Sequence, residues 1–291
     1  MELNKQFRKK TRALCIGGMN IDILGSTDCT FTPGDSLTGI IEVTPGGVAH
    51  NIAAQLAKTG AKVELLCPLG NDAFKDRLAM ACQKDGIGLT YALQTRFPTP
   101  AYLAVHDNTG DMVAAINDMR AMDALDQDAV LRQIGQINEG QFDVGILDAN
   151  LREDSLIAAA STLPFPLIAD PVSAVKCYRL LPLLPRLFAI KPNRMEALAM
   201  TGEDTVEKAA AVLIKSGVAQ VFVSLGKDGL YARDLNDSLY LEAPAMPKVS
   251  LTGAGDAMTA GLAMGIAQGL SLKDTAQAGI LAASTYLTQK L

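Results

Sequence analysis

The chain has 291 residues, 49% apolar and 20% charged, enough to bury the core of one large domain. Its 26 basic and 31 acidic side chains leave a net charge of −5, and the densest basic run is Arg8-Lys9-Lys10, which argues against long-range attraction to nucleic acid. No apolar run reaches the length of a membrane span, and five scattered cysteines without a CxxC pair argue against a disulfide scaffold and fit a reducing cytoplasm.

The first residues are polar and basic with no apolar stretch behind them, so 1–12 are expected to form a flexible tail and no signal peptide, with one domain over 13–291. Ala13–Ile16 is an apolar strand. After it, Cys29–Thr44 is rich in turns and β formers, with Pro33-Gly34-Asp35 as a hairpin signal. A helix over Val48–Thr59, a strand over Lys62–Cys67 and a helix over Ala73–Asp85 come next. Thr99–Asn117 is a second β excursion, turning at Asp107-Asn108-Thr109-Gly110-Asp111. Helical spacing returns at Asp123–Ile137, followed by a strand at Asp143–Asp148, a helix at Ser155–Thr162 and strands at Pro166–Asp170 and Leu187–Lys191. The prolines between Pro164 and Pro185 point to irregular connections around one strand. Thr205–Ser216 (helix), Ala219–Val223 (strand), Asp256–Gln268 and Ser271–Thr288 (helices) complete the chain, with Ser271 and Asp274 resembling a capping box.

Several of these strands are apolar on both faces, as a parallel sheet covered by helices requires. The expected architecture is a three-layer α/β/α domain with a mostly parallel central sheet. The two β excursions, about 29–45 and 99–118, would pair outside that sheet as a small β lid.

The sharpest chemical signal is Thr252-Gly253-Ala254-Gly255-Asp256, followed at once by a helix of small residues. Glycines ahead of a helix free its first amides to face an anion, and the helix dipole favours negative charge there. An acid at that point would repel a bound phosphate, so Asp256 makes sense as a base that takes a proton from a hydroxyl while Gly253, Ala254 and Gly255 hold the transferring group. The plain alternative is a glycine turn followed by an ordinary first-turn acid. No GxxxxGK[ST] sequence occurs, and GxGxxG fails because the next glycine after Gly255 is Gly261. A dinucleotide oxidoreductase is disfavoured on that ground.

Three weaker signals accompany it. Gly46-Gly47 with Asn51 would let the backbone approach a polyhydroxylated ligand, and Asn20 and Asp22 would lie at the carboxyl end of the first strand, where open sheets bind ligands; turn chemistry explains each equally. Asn193 and Glu196 form either a reciprocal helix cap or a pair organising Mg²⁺ and its waters. Ser224 and Gly226 close an apolar strand as a nucleotide-binding edge or as a tight turn. Lys176 and Arg179 could approach phosphates, although basic residues on a helix are usually solvated. His50 is expected to pack or cap at a helix start, and His106 to be solvated or hydrogen-bonded.

Taken in order, these signals resemble the ribokinase-like carbohydrate kinase family: Gly46, Gly47 and Asn51 match its first signature, Thr252–Asp256 its second, and Asn193 and Glu196 its NxxE element. The resemblance runs from about Ala13 to Leu287. It implies in-line transfer from ATP with Mg²⁺, Asp256 as the base, and Gly253, Ala254 and Gly255 as the anion hole. Asn20, Asp22, Gly46, Gly47 and Asn51 would hold the sugar, Ser224, Gly226 and Asn193 the ATP, and Glu196 with Asn193 the Mg²⁺ through water. The partners implied are a small nucleoside or sugar and ATP, with a homodimer formed through the lid. A narrower resemblance, in Asp107–Met119 and in Asp170-Pro171-Val172-Ser173 followed by Lys176-Cys177, is to bacterial pseudouridine kinases. It implies a nucleoside phosphorylated at its 5′-hydroxyl, with Asn117 reading the uracil edge and Asn150 facing the ligand. Another ribose-bearing nucleoside or a free sugar is the alternative acceptor. A non-catalytic ligand sensor on the same scaffold is the reading from another class, and an intact Asp256 with its glycines argues against it. Where the family commonly carries an Asp two residues before the signature Thr, this chain has Ser250, which leaves a monovalent-cation requirement open.

Overall fold

The structure, a computed structural model, describes residues 10–245 and 252–289. Its logic starts at β1 (Arg12–Ile16), where Leu14 and Ile16 pack into one buried cluster and Ala13 and Cys15 into another. A strand apolar on both sides needs a helical layer on each, and the chain supplies both. β2 (Asn20–Ser26) and β3 (Ile40–Gly46) leave this core, and α1 (Val48–Lys58) returns to it. β4 (Lys62–Leu66), β5 (Pro68–Leu69), α2 (Ala73–Asp85), β6 (Ile87–Gly88) and β7 (Leu93–Gln94) follow, then a hairpin of β8 (Ala101–His106) and β9 (Met112–Asp118). The second half alternates α3 (Gln127–Ile134), β10 (Val144–Asp148), α4 (Glu153–Thr162), β11 (Leu167–Asp170), β12 (Ala189–Ile190), α5 (Arg194–Thr201), α6 (Val206–Lys215) and β13 (Gln220–Ser224). It closes with β14 (Leu230–Arg233), β15 (Ser238–Leu241), α7 (Ala254–Ala267) and α8 (Leu272–Thr288).

The main sheet runs β15-β14-β13-β12-β11-β10-β1-β4-β6, parallel except for the antiparallel edge made by β14 and β15. α3 to α6 pack on one face and α1, α2, α7 and α8 on the other. The chain goes from β1 to β4 on one side and later to β10 on the other, so the strand order reverses between β1 and β10 and opens a crevice at their carboxyl ends. A separate four-stranded sheet, β3-β2-β8-β9, stands beside that edge.

Several expectations are corrected. Arg12 belongs to β1 and not to a tail: its main-chain N–H and its guanidinium both bond Asp143. Thr11 is likewise buried, its carbonyl accepting from Lys62 N–H, while residues 1–9 of the expected tail and Ser250 lie outside the described residues. The first strand of the small sheet is Asn20–Ser26, and within Cys29–Thr44 only the part from Ile40 is a strand, because the stretch around Pro33-Gly34-Asp35 lacks alternating apolar residues and forms a loop tied by Thr27 Oγ1 to the carbonyl of Thr38. The helix expected over Asp123–Ile137 is divided: a 3₁₀ turn spans Arg120–Ala124, Asp126 is extended, and its side chain caps α3 by accepting from Ala129 N–H. The proline-rich stretch holds a 3₁₀ helix over Cys177–Arg186, whose i→i+3 pattern tolerates Pro182 and Pro185.

α7 and α8 meet backbone to backbone. A Cβ at Gly261 would collide with the carbonyl oxygen of Ala278, and one at Gly265 would lie 2.9 Å from Thr275 Cα. This close approach fixes the helix whose first turn carries Asp256. Gly261→Val is therefore expected to destabilise the fold by about 1–3 kcal/mol in urea unfolding, from overpacking alone; an unchanged midpoint would contradict this packing.

Candidate active site

Three neighbouring buried strands each end on a charge. Asp148 closes β10, Asp170 closes β11, and Lys191 follows β12, so the parallel register sets them side by side at the carboxyl edge. Asp148 Oδ2 accepts from the N–H groups of Gly18 and Ala49, both at 2.9 Å, and Oδ1 from that of Asn150 at 2.9 Å. Burial raises its pKa despite these donors. One carboxyl group thereby joins the loop after β1, the first turn of α1 and the loop after β10. Asp170 pairs with Lys191 Nζ at 3.1 Å and accepts from Thr259 Oγ1 at 3.0 Å. Both members of the pair are only 7% exposed. Burial works against the charge on Lys191, yet Asp170 and Asp256 together hold its pKa above the ordinary lysine value.

Asp256 lies in the first turn of α7, which starts at Gly253. Gly253 adopts a left-handed conformation, φ 85°, and a Cβ there would collide with Tyr286 Oη. Asp72, Asp126, Asn193, Thr205 and Ser271 cap their helices with side chains, whereas Gly253 provides none, which leaves the first amides of α7 available to an anion. Asp256 Oδ2 accepts from Asn51 Nδ2 at 3.0 Å. Burial, reinforced by Asp170, raises the Asp256 pKa to about 7 against the opposing pull of Asn51 and Lys191. Such a carboxyl group can exchange a proton near neutral pH beside uncapped amides.

On the acceptor side, Asn20 donates to Asp22, and Asp22 occupies the space a side chain at Gly46 would need. Burial raises the Asp22 pKa, opposed by the bond from Asn20. Gly47, φ 101°, lies so close to Gly18 that a Cβ would collide with its carbonyl. Asn150 rests on Gly18, 3.0 Å from where a Cβ would sit. Asn117 is exposed on the edge strand β9 and joins the others only through a cross-strand row, Thr44-Asp22-Tyr102-Asn117, on one face of the small sheet. His50 is buried, as expected, with Nδ1 3.4 Å from Asn51 Oδ1, and burial lowers its pKa.

On the other side of α7, a cleft of about 160 Å³ is lined by Ser224, Gly226, Ala254, Gly255 and apolar residues of α8 including Ile280 and Leu287. Asn193 bridges to Ser224 at its rim. Asn193 and Glu196 form the full reciprocal cap of α5: Asn193 Oδ1 accepts from Glu196 N–H and Glu196 Oε2 from Asn193 N–H. Glu196 Oε1 has no hydrogen-bond partner among the described residues. No group of three or more His, Cys, Asp or Glu side chains among those residues could enclose a metal ion. That donor set fits a hydrated Mg²⁺ reached through one carboxylate, since Mg²⁺ keeps several waters and leans on substrate phosphates.

Sequence reasoning missed Lys191, Asp148, Asp170 and Thr259. For the three charged residues the available signal was a charge at the end of each buried strand; Thr259, inside α7, carried none. It also expected Lys176 and Arg179 to be solvated, whereas Lys176 bonds Asn150 and Arg179 bonds three backbone carbonyls.

The chain matches the pfkB family of carbohydrate kinases over residues 10–291. It is 36% identical over 264 residues to pseudouridine kinase of Escherichia coli, covering 88% of this chain and 84% of that protein. Thermotoga maritima ribokinase superposes with a TM-score of 0.84 at 26% identity, covering 96% and 93% of the two chains. Arabidopsis thaliana ribokinase complexed with ribose and ATP superposes at 0.77 and 22% identity, covering 96% and 93%. The fold, with its mostly parallel sheet and separate small sheet, is ribokinase-like. The chain thus belongs to the pfkB family of carbohydrate kinases. It is a phosphotransferase that acts on a hydroxyl group, a kinase of the sugar and nucleoside class. None of its described helices is long and apolar enough to cross a membrane.

The raised Asp256 pKa has a consequence for stability. The folded protein keeps this proton between the ordinary pKa of 3.8 and about 7, where the unfolded chain has lost it. Its contribution is fully present below about pH 4 and is lost as pH rises through 7. Asp256→Asn cannot ionise, so its urea midpoint should exceed that of the parent by more at pH 8 than at pH 5. A difference independent of pH would contradict the raised pKa.

Proposed function

We propose that this chain transfers the terminal phosphoryl group of ATP to the 5′-hydroxyl of a ribosyl acceptor, with pseudouridine favoured. The observation that carries the reading is the Asn51–Asp256 contact beside the uncapped amides of α7. Asp256 takes the proton of the attacking hydroxyl, and Asn51 keeps the carboxylate oriented toward it. The amides of Gly253, Ala254 and Gly255 hold the negative charge of the transferring group, where one donor is typically worth about 10²- to 10³-fold in rate. Lys191 lies 3.3 Å from the Cβ position at Gly255 and adds a fixed positive charge beneath that nest.

Asn20, Asp22, Gly46, Gly47, Asn51 and Asn150 bind the ribosyl part, and Asn117 reads the base from the small sheet, which serves as the lid. The cleft at Ser224 and Gly226 takes the nucleotide, with Asn193 at its rim. Glu196 Oε1, with Asn193 beside it, would hold Mg²⁺ through water; bound there, the ion would neutralise charge on the phosphates. The likeness to the E. coli protein supports pseudouridine over other acceptors. On the opposite face of the lid, the row Val43-Ile23-Leu103-Ile116 leaves Ile116 69% exposed, which supports a homodimer through this sheet.

Asp256→Asn is expected to lower turnover by about 10²- to 10⁴-fold; phosphorylation near the parent rate would remove Asp256 from the role. In an ADP-release panel of pseudouridine, uridine, adenosine, ribose and fructose 6-phosphate, pseudouridine should give the highest kcat/KM, and Asn117→Ala should cost the nucleosides more than ribose. Preference for fructose 6-phosphate would sink the nucleoside assignment.

A further inference from the structure

Lys176 is a half-buried ammonium group with no carboxylate within ion-pair distance among the described residues. Its one side-chain bond there is to Asn150 Oδ1, at 2.6 Å. Burial lowers its pKa; Asp148 opposes that and Arg179 adds to it. A cation kept partly out of water with most of its donors unused is costly unless something else receives them.

The surroundings hold Lys176 in place. β11 ends at Asp170, whose Oδ1 accepts from Val172 N–H at 2.9 Å. Ser173 N–H then donates back to the Pro171 carbonyl at 2.7 Å, a three-residue turn that forces Val172 to φ 66°. A β-branched residue in that region is strained, and such strain persists only where the surroundings over-determine it. Lys176 N–H donates to the Ser173 carbonyl at 3.1 Å, which ties the lysine to this turn. On the facing loop, Arg179 Nη1 donates to the carbonyls of Ala149, Asn150 and Leu151 at 3.0, 3.2 and 3.1 Å. Asn150 N–H is bonded to Asp148. Two loops, after β10 and β11, thus converge beside Gly18 at the β1–β10 crevice.

Asn150 Oδ1 accepts from the ammonium and the Asn150 side chain also bonds Asp148, so the group left to meet a ligand is the ammonium, through its remaining N–H donors. An ammonium group only donates, so it complements a carbonyl oxygen and not an amino group. We infer that Lys176, held by the turn at Val172 and by Asn150, is a specificity-determining residue that recognises a carbonyl oxygen on the base of the nucleoside acceptor. The inference rests on the nucleoside reading proposed above.

The test is steady-state kinetics of the full chain and of Lys176→Met and Lys176→Gln, with pseudouridine and with ribose, alongside a thermal melt of each variant. A hydrogen bond from a charged donor is worth about 10- to 100-fold in binding. Lys176→Met should therefore raise KM for pseudouridine by about that factor more than for ribose, with the loss in KM and not in kcat. Lys176→Gln, which keeps a donor, should recover part of it. Equal losses on both acceptors, or a loss confined to kcat, would overturn the inference. A parent enzyme that uses ribose but not pseudouridine defeats the nucleoside reading and this inference together. A parent that prefers pseudouridine, with a Lys176→Met variant that keeps the preference, defeats this inference alone.

Discussion

The hydrogen bond from Asn51 to Asp256 lies at the meeting point of opposing electrostatic demands. Burial and the nearby Asp170 favour a neutral carboxyl group at the start of α7, while Asn51 and the ammonium of Lys191 favour the carboxylate. The balance falls close to neutrality, where a carboxyl group is both a usable base and available in its ionised form. Asn51 comes from α1 and Asp256 from α7, so the arrangement exists only if those two helices are held in fixed relation.

Two features of the fold hold them. Asp148, at the end of the central strand β10, accepts from the first turn of α1 and anchors it to the sheet. α7 is set by its glycine-mediated contact with α8, and Thr259, one turn beyond Asp256, donates to Asp170 on β11. The sheet edge therefore reaches both helices through buried carboxyl groups, at the point where strand order reverses. The cleft on one side of α7 and the crevice under the small sheet on the other share the same helix start, an arrangement suited to passing a group between two ligands.

Much of this was legible because it is local. The span Ala73–Asp85, the reciprocal cap at Asn193 and the glycine stretch before α7 depend on neighbours a few residues away, and the structure has them as read, while Ser271 caps α8 through Asp274 N–H without the reciprocal half of a capping box. β14 and β15 escaped notice because each is only four residues long, too short for a pattern to stand out, and β14 is buried between β13 and β15. Asn20–Ser26 was legible as ligand-side polar residues but not as a strand, since its partners lie in later segments, Ile40–Gly46 and Ala101–His106. Lys191, Asp148 and Asp170 were missed for the same reason: each is an ordinary charge at the end of an apolar run until the strand order brings the three together.

The central claim is that Asp256 must be ionised to accept the proton of the acceptor hydroxyl. The most direct test is the pH dependence of kcat/KM for acceptor phosphorylation at saturating nucleotide. A base with a pKa of about 7 predicts a tenfold rise per pH unit on the acid side, levelling off near neutrality. A profile that stays flat down to pH 5 would mean that no group of this kind takes the proton, and would contradict the account.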